Sequence, residues 1–136
     1  MEPSEAAQRI FDAYRTGDLS GMQSLISPAI TLHMPGENVL AGEYSGMGAV
    51  LALVARAAVY LAPSSVQVLG VDTNEGEVVA RVSVGGGLMA AHGGELRLNQ
   101  RMRFDETGQI REAWIEPDDL QAWDALVGRA AGASTG

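Results

Sequence analysis

The sequence predicts an α+β domain in which N-terminal helices pack on a strongly bent antiparallel sheet, forming a conical barrel around an apolar pocket. Three observations carry that expectation. Apolar residues recur mostly at helical spacing up to Leu61, the period changes to two after Ser64, and the later segments are joined by turn-forming residues.

Ser4 and Glu5 suit the N-cap and first turn of a helix running to about Arg15. Its Ala7, Ile10, Phe11 and Tyr14 share one face, and Gly17 ends it. Asp18 to Leu25 reads as a second short helix that turns Leu19, Met22, Leu25 and Ile26 inward and stops at Ser27-Pro28. Ile30, Leu32 and Met34 alternate with Thr31 and His33, as in a half-buried strand. A Pro35-Gly36 turn leads to a short extended return from Ala41 to Tyr44. Met47 to Leu61 is a third helix, apolar on most sides, so it is expected to be clasped between the sheet and a second layer. Four strands follow, at Val66 to Val71, Glu77 to Val84, Gly94 to Phe104 and Gln109 to Glu116. Asn74-Glu75-Gly76, a glycine-rich stretch from Gly85 to Gly94, and Glu106-Thr107-Gly108 join them, which predicts an antiparallel meander. Pro117-Asp118-Asp119 opens a C-terminal helix to about Val127, with the aspartates as caps. Residues 1–128 are therefore expected to form one domain and 129–136 a flexible tail.

Composition narrows the function. The 136 residues suit a single domain, and a hydrophobic content of 46% excludes extended disorder. The absence of cysteine excludes disulfides, thiolate nucleophiles and cysteine-ligated metals, and the absence of lysine excludes Schiff-base chemistry. A net charge of −8 with no basic run argues against nucleic acid. No apolar run approaches membrane-span length and the acidic start lacks a signal-peptide n-region, so a cytoplasmic protein without membrane contact is expected. His33 and His92 have no carboxylate at ligand spacing; neither a metal nor a cofactor is expected. The partner that fits is an apolar small molecule.

Several separated motifs point the same way. Leu32-His33-Met34-Pro35-Gly36, Leu40-Ala41-Gly42-Glu43-Tyr44-Ser45-Gly46, Ala49-Val50-Leu51-Ala52, the run from Arg103-Phe104-Asp105 to Trp114, and Asp119 occur in an order that resembles the SnoaL-like polyketide cyclases. These are a branch of the nuclear transport factor 2-like superfamily, related to ketosteroid isomerases. The resemblance spans about residues 6–127 and implies the conical fold and a homodimer paired through the outer sheet face. It also implies a group that includes polyketide cyclases, ketosteroid isomerases, epoxide hydrolases and noncatalytic binding modules. Taken residue by residue, the familiar catalytic groups are replaced. The aspartate base that precedes the strand's proline in ketosteroid isomerases is Met34 here. The tyrosine and aspartate of their oxyanion hole become about Ile10 and Gln100. The base of some cyclases, just after the last strand's tryptophan, becomes Ile115, and the Asp-Arg-Asp set of limonene-type epoxide hydrolases has no match.

The remaining candidates are few. Gln100 shares parity with Leu96, Leu98, Met102 and Phe104, a neutral amide on an apolar strand face that can donate to a substrate carbonyl. His33 suits acid/base work at neutral pH, although strand parity turns it away from Leu32 and Met34. Tyr14 lies on the core face of the first helix, so Gln100, His33 and Tyr14 form the catalytic set. Met34, Tyr44, Met89, His92, Leu98, Met102, Trp114 and Ile115 are the candidate substrate contacts. The resemblance turns Ala113 and Ile115 to the pocket and Trp114 away from it, whereas a bulge would reverse the two faces. The function expected is a cofactor-independent cyclase or isomerase of bacterial specialised metabolism, such as antibiotic biosynthesis, that folds a polyketide-like intermediate and polarises its carbonyl. The alternatives are a noncatalytic small-molecule-binding or dimerisation module and an epoxide hydrolase, which needs a carboxylate facing the cavity.

Overall fold

Pro3, rather than Ser4, opens the first helix, α1 (Pro3–Thr16), because proline's fixed φ suits a first turn whose N–H groups are unpaired anyway. The computed structural model describes residues 2–85 and 95–135, with side chains to 128 apart from that of residue 64. Gly17, at φ 71°, ends α1 as its own N–H and that of Asp18 reach back to the carbonyls of Tyr14 and Ala13. The Asp18 carboxylate then accepts from the N–H of Gly21 at 2.9 Å and caps α2 (Leu19–Leu25). Leu19, expected to face inward, is exposed at the first position of this short helix, whereas Met22 and Ile26 are buried.

Strand β1 (Ile26–Met34) begins earlier than expected and includes Pro28. Its pairing shifts register between Ile26 and Thr31, so the proline sits in an irregular segment that needs no ladder N–H from it. β2 (Gly42–Ser45) returns antiparallel to β1, and α3 (Met47–Tyr60) follows. Helix α3 buries one stripe, Val50, Leu53 and Ala57, and leaves Val59 54% exposed. The expected clasp on most sides is thus confined to the face meeting β1, β2 and the C-terminal helix. β3 (Gln67–Asn74), β4 (Glu77–Gly85), β5 (Glu95–Phe104) and β6 (Ile110–Pro117) complete the sheet.

The strand order is β2-β1-β6-β5-β4-β3. The last four strands form the expected antiparallel meander, but β6 also pairs with β1, in parallel, through Leu32 and Ala113 and through His33 and Trp114. The sheet is therefore mixed rather than antiparallel throughout. It is also open, with β2 and β3 as its edges, so the cone is not a closed barrel. Four α-helices and six strands among the described residues give the α+β architecture expected.

The turn between β3 and β4 places Glu75 at φ 49° and Gly76 at φ 79°, the paired left-handed geometry of a two-residue hairpin. Glutamate is the less suited of the two, so Glu75→Asn is expected to raise stability by about 0.5–1 kcal/mol. A denaturant midpoint that stays or falls in that variant contradicts this reading.

Helix α4 (Leu120–Thr135) runs past Val127 into the segment expected to be a tail, since Ala130, Ala131 and Ala133 are strong helix formers that carry the backbone past Gly128 and Gly132. Its Trp123, Leu126 and Val127 are buried against the core. On the adjacent side, Asp124 Oδ1 accepts from the backbone N–H of Glu37 at 3.0 Å and from Asn38 Nδ2 at 2.6 Å. The loop after β1 is thereby tied to α4, and the rotation of α4 about its axis is fixed. No helix among the described residues is long and apolar enough to cross a membrane.

Candidate functional site

Strand alternation turns Leu32 and Met34 of β1, Val82 and Val84 of β4, Leu98 and Gln100 of β5, and Ile115 of β6 to the concave side of the sheet. Ile10, Phe11 and Tyr14 of α1, Leu53, Val54 and Ala57 of α3, and Trp123 of α4 face them from the helical layer. Between the two lies a cavity of about 140 Å³. The polar side-chain groups among its described lining residues are the Tyr14 hydroxyl, the Gln100 amide and the Trp123 indole N–H.

Each of these is neutral and each can donate a hydrogen bond. Among the described residues the Gln100 Nε2 group has only a weak acceptor, Met102 Sδ at 3.7 Å. Burial pushes the Tyr14 hydroxyl up to about 12 from its ordinary 10.0, because the phenolate would lose its hydration. An unfolded chain releases that proton from about pH 10 upward while the folded chain keeps it. Tyr14 therefore contributes stability that is complete below pH 10 and lost as pH rises towards about 12. Phenolate absorbance is expected to show one of the chain's three tyrosines ionising near 12, a component absent from Tyr14→Phe; a Tyr14 component titrating near 10 refutes the burial argument.

Carboxylates are excluded from the lining. All 17 aspartate and glutamate residues belong to the described part of the chain, and none lines the cavity. No group of three or more histidine, aspartate and glutamate side chains close enough to hold a metal ion occurs among the described residues.

The structure brings together Tyr14, Met34, Leu98, Gln100 and Ile115 of the sequence-predicted set. Met102 is fully buried beside Gln100 and lies behind the wall. Tyr44 spends its hydroxyl on the carbonyl of Leu40 at 2.8 Å, bracing the loop before β2 instead of lining the cavity. Met89 and His92 lie outside the described residues. His33 and Trp114 are on the convex face, because the parity of β1 and β6 that turns Met34 and Ile115 inward must turn them out. No bulge reverses that part of β6. There His33 Nε2 meets Glu112 Oε2 at 2.8 Å and the imidazole stacks on Trp114, with ring centroids 5.4 Å apart and planes at 11°. The Arg101 guanidinium lies 4.5 Å from the Trp114 ring centre and pairs with Glu116 at 3.1 Å. His33 is thus engaged in an outer-face network remote in direction from the cavity.

Sequence reasoning missed several apolar lining residues, among them Leu53, Val54, Val82 and Val84, and one lining residue with a polar group, Trp123. Helical spacing places a tryptophan in a core stripe readily enough, but whether its N–H finds a partner is settled only in three dimensions.

An open, bent mixed sheet cradling an apolar cavity against helices defines the class of nuclear transport factor 2-like α+β proteins. Within that class the chain belongs to the SnoaL-like domain family, whose model matches residues 7–113. Among solved structures, Bal32a from a soil-derived mobile gene cassette is similar at 21% identity and a TM-score of 0.80, covering 92% of this chain and 95% of that one. IdmH from Streptomyces antibioticus, a candidate polyketide cyclase, is 19% identical with a TM-score of 0.72, over 97% of this chain and 99% of that one. A candidate polyketide cyclase of Sinorhizobium meliloti is 18% identical with a TM-score of 0.68, over 82% of this chain and 94% of that one. At these identities the likeness establishes the fold. No curated protein matches the sequence.

Proposed function

We propose that the protein is a cofactor-independent cyclase or isomerase acting on an apolar, keto-bearing small molecule of the polyketide kind. One observation carries this reading: among the described residues the cavity wall is apolar apart from neutral hydrogen-bond donors, and no carboxylate lines it. A carbonyl that accepts from Gln100 and Tyr14 becomes more electrophilic, and negative charge developing on its oxygen is stabilised where water is scarce. Tyr14, held protonated by burial, serves as donor and not as base. Without a carboxylate base the reaction suits substrates that enolise readily, such as β-dicarbonyl compounds, whose own enol supplies the nucleophile. Enclosing both reacting ends then removes much of the entropic barrier, up to roughly 7–11 kcal/mol for well-oriented intramolecular reactions. Epoxide hydrolysis is disfavoured by the same lack of a carboxylate to activate water. Two chains pairing through the convex sheet face, where Trp114 stacks on His33, belong to the same reading.

The test is mass spectrometry of the purified protein incubated with an extract of its source strain from which the gene has been deleted. Conversion of a retained compound to an isomer of equal mass is the result expected. Return of every retained compound unchanged would favour the second reading, a noncatalytic binding module, which the replacement of the familiar bases by Met34 and Ile115 supports.

A further inference from the structure

Gln100 is half-buried near the middle of β5, with β4 on one side and β6 on the other. Its cross-strand neighbours are Ala80 and Ile115, and Leu98 and Met102 flank it on the same face of its own strand. None of these side chains can donate a hydrogen bond to the Gln100 amide oxygen, and the backbone N–H groups of a central strand are taken up by its two ladders. The Tyr14 hydroxyl, on the helical side of the cavity, makes no hydrogen bond to it either. Among the described residues, Gln100 Oε1 therefore accepts nothing. It is not sealed off. The fully buried, unpartnered side-chain atoms of the described residues are Arg101 Nε and Trp123 Nε1, and Gln100 Oε1 is not one of them. A side chain on the concave face of a central strand is reached only from the cavity, so Oε1 is open to whatever fills it.

The other end of the amide is nearly as free. Nε2 carries two hydrogens and has only Met102 Sδ, at 3.7 Å, to receive one of them. Gln100 thus offers the cavity a donor and an acceptor side by side. A simple ketone uses the donor alone. It also displaces water from Oε1 without replacing the lost hydrogen bond, and an acceptor dried in this way opposes binding. A ligand with an N–H or O–H beside its carbonyl satisfies both ends. Neutrality follows from the rest of the wall, since neither arginine nor carboxylate is among the described lining residues to act as counter-ion. The volume, about 140 Å³, is close to that of an engineered apolar cavity of about 150 Å³ that binds benzene, so a single six-membered ring fits.

We infer that Gln100 holds its ligand through both ends of the amide, and that the part of the ligand enclosed by the cavity is a neutral ring with a hydrogen-bond donor beside its carbonyl, as in a lactam. This rests on the proposed reading of the cavity as a small-molecule site and narrows its substrate class.

Piperidin-2-one and cyclohexanone have nearly the same shape and differ in whether an N–H or a methylene stands beside the carbonyl, which makes them suitable probes. Their dissociation constants are measured by titration for the wild type, Gln100→Leu and Tyr14→Phe, and the ratio of the two is compared between proteins. That comparison cancels the probes' different affinities for water. The preference for piperidin-2-one is expected to fall about three- to tenfold in Gln100→Leu, the range of one neutral hydrogen bond, and to persist in Tyr14→Phe. In the 13C-labelled wild type, the Gln100 side-chain carbonyl resonance, assigned through its contact with Met102, is expected to move downfield with piperidin-2-one and to move far less with cyclohexanone. An unchanged ratio in Gln100→Leu, a fall in Tyr14→Phe instead, a carbonyl signal indifferent to piperidin-2-one, or failure of piperidin-2-one to bind overturns the inference. If Gln100→Leu does not fold, the wild-type resonance decides alone. Neither readout involves turnover. Lactam binding through Gln100 by a protein that returns every ligand unchanged would leave this inference standing and remove the catalytic one; turnover by a protein with an unchanged ratio would do the reverse.

Discussion

Gln100→Leu is expected to lower turnover of the cavity's substrate by about 10²–10³-fold, the loss that follows removal of one donor to a developing oxyanion. The change keeps the volume and parity of the site while deleting its amide, so the fold has little reason to suffer. β5 continues to place residue 100 opposite Ala80 and Ile115, two apolar neighbours that accept leucine readily. If the amide acts chiefly on charge that develops during reaction, the turnover number falls far more than substrate affinity does. Equal losses in both would mean that Gln100 only holds the ground state. Turnover at the wild-type rate would remove Gln100 from the mechanism and shift the role of polarising donor to Tyr14.

Gly36→Ala is expected to cost about 3 kcal/mol and lower the melting temperature by roughly 10 °C. Gly36 has φ 95°, a conformation side chains rarely adopt, and a Cβ built there would collide with Asp124 Oδ1 and crowd Asn38 Nδ2. The methyl group therefore strains its own backbone and also displaces the carboxylate that joins the loop after β1 to α4. The two contributions separate in a double-mutant cycle. Asp124→Ala removes the colliding atom, so in the Gly36→Ala background it is expected to cost about 1 kcal/mol less than in the wild type. Strict additivity of the two losses would mean that the clasp is not what the methyl group disrupts.

Much of this arrangement is legible in the chain itself, and the legible part is local. The parity that sets Gln100 among Leu98 and Met102 survives in the structure because a strand has no other way to dispose alternate side chains. The same rule places His33 on the convex face, against its candidacy for acid/base work. What the sequence conceals is pairing at a distance. Nothing near Leu32 announces that Ala113, on a strand that otherwise belongs to a meander, will lie beside it in parallel. Nor does spacing reveal that Tyr44 gives its hydroxyl to Leu40, or that Trp123 is left without an acceptor among the described residues. Hydrogen-bond satisfaction depends on every group within reach, and those groups come from segments far apart in the chain.

The parallel contact between β1 and β6 governs the order in which the molecule can be assembled. β6 follows every other strand in the chain yet sits in the middle of the sheet, joining β2 and β1 on one side to β5, β4 and β3 on the other. Until it has emerged from the ribosome, a nascent chain holds two unconnected sheet fragments, and the edges of β1 and β5 that β6 will cover stay open to mispairing. Closing so large a loop in sequence is slow, and folding is expected to wait for synthesis of the last strand. Chains interrupted before residue 110 would then populate aggregation-prone fragments rather than a smaller stable domain.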